Sequence, residues 1–174
     1  MTTPGTPVPS TPSGYLVDTN VLLRTTDASS AQHATARAAL KTLEGQNARL
    51  IVAPQNLIEF WAAATRPTAV NGLGLTSAQA GASLASFKAA FTLLPDSPDV
   101  FGEWERLAAQ YGVQGKQAHD CRLVAFMLVH GLTHLLTFNA PHFRRYEAAE
   151  GIAVIDPASV PAAPDTTTTT QQAN

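Results

Sequence analysis

Short apolar runs alternate along this chain with longer stretches whose apolar residues recur at helical spacing. Tyr15 to Val17, Leu50 to Ala53, Thr92 to Leu94, His134 to Phe138 and Ala153 to Ile155 have strand length and are dominated by aliphatic, aromatic and Thr residues. Between them the pattern predicts helices. Val21 to Thr25 begins a short one, and Ser30 to Glu44 forms an Ala-rich one stopped by Gly45. Pro54 suits a first helical turn, so Gln55 to Thr65 follows as a helix that ends before Pro67. Asn71 to Leu75 reads as a Gly-rich loop and Ser77 to Phe91 as a helix capped by Ser77. Pro98 to Tyr111 is amphipathic and ends at Gly112, and His119 to His130 is strongly apolar and ends at Gly131. Strands separated by helices, with little polar alternation inside the strands, predict an α/β fold with a parallel sheet covered on both faces.

The ends differ from this middle. Residues 1–13 are Thr, Pro, Ser and Gly with little to bury, and residues 157–174 are Pro, Ala and a run of Thr. Neither segment offsets its ordering entropy, so both are expected to be disordered tails around one folded domain, residues 14–156. No basic start followed by an apolar stretch marks a signal peptide, and the longest apolar run, Leu123 to Val129, is too short to span a membrane. The lone Cys121 excludes an intramolecular disulfide and a Cys-rich zinc site. It accords with a cytoplasmic location. A net charge of −2 argues against a basic nucleic-acid coat protein, while leaving room for an enzyme with a small basic groove.

Three isolated acids then stand out. Asp18 follows the first strand directly, in Val17-Asp18-Thr19-Asn20-Val21, where open α/β sheets place their ligands. It reads either as a site residue or as a helix cap. Glu59 lies within the apolar Asn56-Leu57-Ile58-Glu59-Phe60-Trp61, where a carboxylate is costly unless paired or metal-bound; otherwise it marks the polar face of its helix. Asp120 opens the most apolar helix, where a first-turn acid is also favoured by the helix dipole. Three carboxylates converging on one hard cation would suit Mg²⁺ and metal-assisted phosphoryl chemistry. The chain has no Gly-x-Ser-x-Gly elbow and no Walker-type phosphate loop.

The order of these motifs resembles the PIN-domain family, and within it the VapC-type ribonuclease toxins of toxin–antitoxin pairs. Val17 to Val21 resembles the first motif, Pro54 to Phe60 the second, His119-Asp120 the third, and Leu135-Leu136-Thr137-Phe138-Asn139-Ala140-Pro141-His142-Phe143 the fourth. The resemblance implies a three-layer α/β/α sandwich and RNA cleavage by a water activated by Mg²⁺ or Mn²⁺. It implies that Asp18, Glu59 and Asp120 hold the metal, that Asn139 supports a metal water, and that Thr19, Asn20 and Thr137 shape the site. Relatives pair as homodimers and accept an antitoxin segment in a groove beside the acids, so both partners are implied here. This chain departs from the family at Asn139 and His142, one of which is acidic in many relatives. The expected site therefore has three carboxylates, with an amide and an imidazole beside them.

Lys116, Arg122, Arg144 and Arg145 cluster around the third and fourth motifs and are candidates for RNA phosphate contacts. Two rival readings accompany the nuclease. One is a catalytically inactive PIN-like domain that only binds RNA or a protein. The other is a Rossmann-like phosphatase built on Asp18, which ordinarily needs a second acid where Asn20 stands.

Overall fold

The computed structural model describes residues 14–161. Five short strands form one parallel sheet in the order β3-β2-β1-β4-β5. They are β1 (Gly14–Val17), β2 (Arg49–Val52), β3 (Thr92–Leu93), β4 (His134–Leu136) and β5 (Ala153–Ile155). β1 is central: Leu16 pairs with Ile51 on one side and with Leu135 on the other. The chain builds outward from β1 to β3, then crosses over and builds outward again from β4 to β5. The carboxyl end of β1 is thus the switch point of the sheet, the position where ligand sites form in open α/β folds.

Successive strand residues face opposite sides, and both sides are apolar, as the sequence predicts. Leu16, Ile51 and Leu135 join one core cluster, while Val17, Leu50, Val52 and Leu136 join another. The second cluster is completed by α1 (Thr19–Thr26), α2 (His33–Gly45), α3 (Pro54–Ala64) and α4 (Ser77–Ala90). The first is completed by α5 (Asp99–Gln110), α6 (Gln117–Val129) and the short α7 (Ala140–Phe143). This is a three-layer α/β/α sandwich. α6 lies between the sheet cluster and α5, and Cys121 together with Leu123 to Met127 is buried, which is why its apolar residues run nearly all round it. Trp104 on α5 donates its indole N–H to the Ala118 carbonyl at 3.0 Å and fixes the start of α6.

The differences from the sequence expectations have local causes. α1 begins at Thr19, two residues early, because β1 passes straight into it at Asp18. α4 is capped by Thr76, not Ser77: Gln79 lies three residues on, and the two exchange side-chain-to-backbone bonds as a capping box. β4 stops at Leu136, although the Thr137 N–H still reaches the Ile155 carbonyl. α7 and α8 (Glu147–Glu150), with a 3₁₀ turn at Arg144–Tyr146 between them, are single turns too short to show a helical period. Pro157–Ser159 form a further 3₁₀ turn with Pro157 buried and Val160 packed on the core, so order continues past Asp156. The expected tails, residues 1–13 and 157–174, lie outside the described residues except for residues 157–161. No helix among the described residues is long and apolar enough to cross a membrane.

The Gly-rich loop after α3 folds back on that helix. The N–H groups of Gly74 and Leu75 reach the carbonyls of Arg66 and Ala64, both at 2.9 Å. A Cβ at Gly72 would lie 1.8 Å from the Arg66 carbonyl oxygen. Gly72→Ala is therefore expected to cost at least about 2 kcal/mol by forcing this loop off α3. Urea unfolding checks it, and an unchanged midpoint would show that the loop gives way freely.

Candidate active site

Asp18 is the first residue beyond β1, its N–H still bonded to the Leu136 carbonyl at 3.0 Å. It occupies the cap position of α1, yet its carboxylate makes no capping bond. Instead Oδ2 accepts from the Thr137 hydroxyl at 2.7 Å and from Asn20 Nδ2 at 2.6 Å. Asn20 cannot present its amide the other way round, because its Oδ1 accepts from the Phe138 N–H at 3.1 Å. Thr137 also accepts from Asn20 at 3.0 Å and from the Asn139 N–H at 2.9 Å, so its one proton is left for Asp18. First and fourth motifs are thereby knitted together around a single carboxylate that is only 6% exposed.

Glu59 projects from the second turn of α3 and is half-buried. Its two oxygens are held separately. Oε2 accepts from the Thr19 hydroxyl at 2.9 Å, and Oε1 from Gln55 Nε2 at 2.8 Å. Gln55 and Asn56, both buried, are further polar residues of the candidate site, and no motif in the sequence singles them out. Asn56 Oδ1 accepts the Ala53 N–H at 2.9 Å and so fixes the entry into α3. The available signal was the pair of amides just after the helix-starting Pro54, with Gln55 one helical turn before Glu59.

Asp120 lies in the first turn of α6, with its side chain 28% exposed. Its Oδ2 meets His142 Nδ1 at 3.1 Å. The structure thus joins the third and fourth motifs through His142. Asn139, by contrast, is exposed, and its side chain makes no capping bond to α7. His119 is exposed as well, and contributes its carbonyl, which accepts from Gln55 Nε2 at 2.9 Å.

The four basic candidates divide. Lys116 and Arg145 line one pocket with Gln117, Asp120, Pro141 and His142, a cleft of about 220 Å³ at the start of α6. Arg145 is steadied there by Gln117 Oε1 at 3.3 Å and the Tyr146 hydroxyl at 3.0 Å. Arg122 turns elsewhere, donating to Gln55 Oε1 and Asp96 Oδ1, each at 3.0 Å. Arg144 is exposed and is not part of the pocket lining.

The three acids feel one another. Burial raises the Asp18 pKa to about 6; the Thr137 bond opposes the shift, and the negative charges of Glu59 and Asp120 add to it. Asp120 is also raised, first by burial and then by Glu59, with His142 acting against both. Among the described residues no three His, Cys, Asp or Glu side chains form a ready-made ligand cluster. The donor set nonetheless fits a divalent cation. It is all oxygen and anionic, as hard cations require, and a positive charge would offset both the desolvation of Asp18 and the repulsion from Glu59 and Asp120.

Comparison with known proteins follows the same lines. The family model described as PIN domain matches residues 15–149. No curated protein matches the chain. Among solved structures, it resembles VapBC2 from Rickettsia felis bound to a DNA fragment from their promoter, at 14% identity and a TM-score of 0.60, over 82% of this chain and 98% of that one. It also resembles Mycobacterium tuberculosis VapC20, a sarcin-ricin loop cleaving toxin, at 16% identity and a TM-score of 0.57, over 75% and 94% of the two chains. VapBC-1 from nontypeable Haemophilus influenzae aligns at 16% identity and a TM-score of 0.58, over 83% and 98%.

The raised pKa of Asp18 has a definite sign for stability. The folded value of about 6 lies above the ordinary carboxylate value of 3.8, so the folded state binds the proton more tightly. Below pH 4 the group costs nothing. As pH rises through 6 the full penalty appears, on the order of 3 kcal/mol at most. In chelator, Asp18→Asn is expected to raise stability at pH 7.5 and to leave it nearly unchanged at pH 4. Denaturant titrations at the two pH values measure this, and a variant less stable at pH 7.5 would contradict it.

Proposed function

The chain belongs to the PIN domain family, and on that premise we propose that it is a metal-dependent endoribonuclease, the toxin of a toxin–antitoxin pair. The observation that carries the reading is the Asp18 carboxylate at the sheet's switch point, raised in pKa by its burial and then by the charges of Glu59 and Asp120. Asp18, Glu59 and Asp120 would hold Mg²⁺ or Mn²⁺. Such an ion supplies charge neutralisation and activates water against a phosphodiester.

The chain's own residues do the rest. Thr137 and Asn20 hold Asp18 toward the site, and Thr19 and Gln55 hold Glu59. His142 steadies Asp120 from the solvent side, and the exposed amide of Asn139 is free to orient water there. Lys116 and Arg145, beside Asp120, supply positive charge for an RNA phosphate. They position the strand and read no sequence. Arg144, exposed one residue before Arg145, extends the same basic edge.

The solved structures that the chain resembles include a toxin–antitoxin complex from Klebsiella pneumoniae, at 19% identity and a TM-score of 0.53, which supports a protein partner here. An exposed apolar groove on the α3–α4 face supports it too. Ile58 is 69% exposed and Trp61 38%, and with Leu57 and Leu84 they line a groove of about 290 Å³ between α3 and α4. An amphipathic antitoxin helix seated in this groove, on the α4 side of α3, would need a following segment that reaches round α3 to the acids. The same exposed apolar face favours a homodimer.

The catalytically inactive alternative draws on the exposed Asn139 in place of a fourth acid. Cleavage assays separate the two. Purified protein is expected to cleave RNA with Mg²⁺ or Mn²⁺ and not in excess chelator. Asp18→Asn or Asp120→Asn should lower the rate by more than about 100-fold, since even residues standing behind metal ligands cost about 10–100-fold. Undiminished cleavage by either variant would sink the assignment.

The partner reading has its own test. Light scattering of the isolated chain should give a dimer, and Ile58→Asp should shift it toward monomer or abolish copurification of a small protein co-expressed from the adjacent reading frame. A clean monomer at high micromolar concentration would refute the dimer.

A further inference from the structure

We propose that Gln55 and Arg122 form a clamp that sets the separation of Glu59 and Asp120, and with it the affinity of the site for its divalent ion. The proposal rests on the reading of Asp18, Glu59 and Asp120 as a cation site.

Glu59 and Asp120 stand on different helices, and no direct bond between them is needed to fix their spacing. Gln55 supplies the link. It is buried, and its Nε2 donates to Glu59 Oε1 at 2.8 Å and to the His119 carbonyl at 2.9 Å. One amide group therefore ties the Glu59 carboxylate to the backbone of α6 at the residue immediately before Asp120. The other end of that amide is held from the same helix: Gln55 Oε1 accepts from Arg122 Nη1 at 3.0 Å. Asp120 is thus bracketed by the two points at which α6 grips Gln55.

Arg122 is itself oriented by Asp96, in the segment between β3 and α5, at 3.0 Å. This outer ion pair is partly exposed, with side chains 35% and 46% accessible, so it adds little stability of its own. Its geometric effect is what matters, because it points the guanidinium fork at Gln55. Without Arg122, Gln55 is left with a buried, unpaired carbonyl oxygen. It then either turns, setting that oxygen against Glu59, or moves away; both outcomes release Glu59 Oε1. Partners behind ligating carboxylates tune metal sites in this way. Arg122 is accordingly a positioning residue and not a phosphate contact.

Calorimetric titration of the full-length chain with MnCl₂ tests this without an RNA substrate. Arg122→Ala and Gln55→Leu are expected to weaken Mn²⁺ binding about tenfold, with Arg122→Lys intermediate. In a Glu59→Gln background, Arg122→Ala should have no further effect, because the carboxylate it positions is gone. If Arg122→Ala does not fold, Asp96→Asn carries the test, and a smaller weakening in the same direction is expected. Unchanged Mn²⁺ affinity in Arg122→Ala or in its Asp96→Asn substitute, or an Arg122→Ala effect that persists in the Glu59→Gln background, would overturn the clamp alone. Weaker RNA binding in chelator with unchanged Mn²⁺ affinity would return Arg122 to a phosphate-binding role. Native protein that binds no Mn²⁺ would overturn the cation site itself and the clamp with it.

Discussion

Asp18 is a carboxylate almost wholly removed from water at the end of the central strand, with two further carboxylates near enough to raise its pKa. Burying such a group is costly unless bonds or a cation compensate it. Here protein donors compensate only in part. Thr137 and Asn20 bind one oxygen of Asp18, and the repulsion from Glu59 and Asp120 remains. Most of the surrounding architecture serves to hold this arrangement. β4 delivers Thr137 beside Asp18, α1 delivers Asn20 and Thr19, α3 delivers Glu59, and α6 delivers Asp120.

The two-sided core makes that delivery possible. β1 buries Leu16 against one helical layer and Val17 against the other, so neither face of the strand is free to accept polar groups. The charged chemistry is pushed to the strand's end, which coincides with the reversal of strand order. α6 meets the same demand differently. Its apolar body is buried in the core cluster, and its N-terminal end, from Lys116 to Arg122, reaches the site. A layered fold and an acidic rim are two results of one constraint on where polarity can go.

Much of this was legible in the chain. Apolar runs of strand length spaced by helical patterns led to a parallel sheet covered on both faces, and Asp18 at the first strand's end pointed to the candidate site. What escaped the sequence was mostly short or relational. α7 and α8 are single turns with no period to read. Arg122 looked like its basic neighbours because only the fold reveals that Gln55 and Asp96 face it. Gln55 itself was passed over because an amide inside an apolar helix signals a role only once its partners are known. The choice between cap and site at Asp18 is likewise tertiary, since Thr137, which takes the carboxylate away from α1, lies 119 residues further on.

The proposed function requires that these three carboxylates face one divalent cation. Anomalous diffraction from crystals of the full chain grown with MnCl₂ tests it most directly. A Mn²⁺ peak bounded by the carboxylates of Asp18, Glu59 and Asp120 is expected. A peak elsewhere on the molecule, or none there at millimolar Mn²⁺, would contradict it.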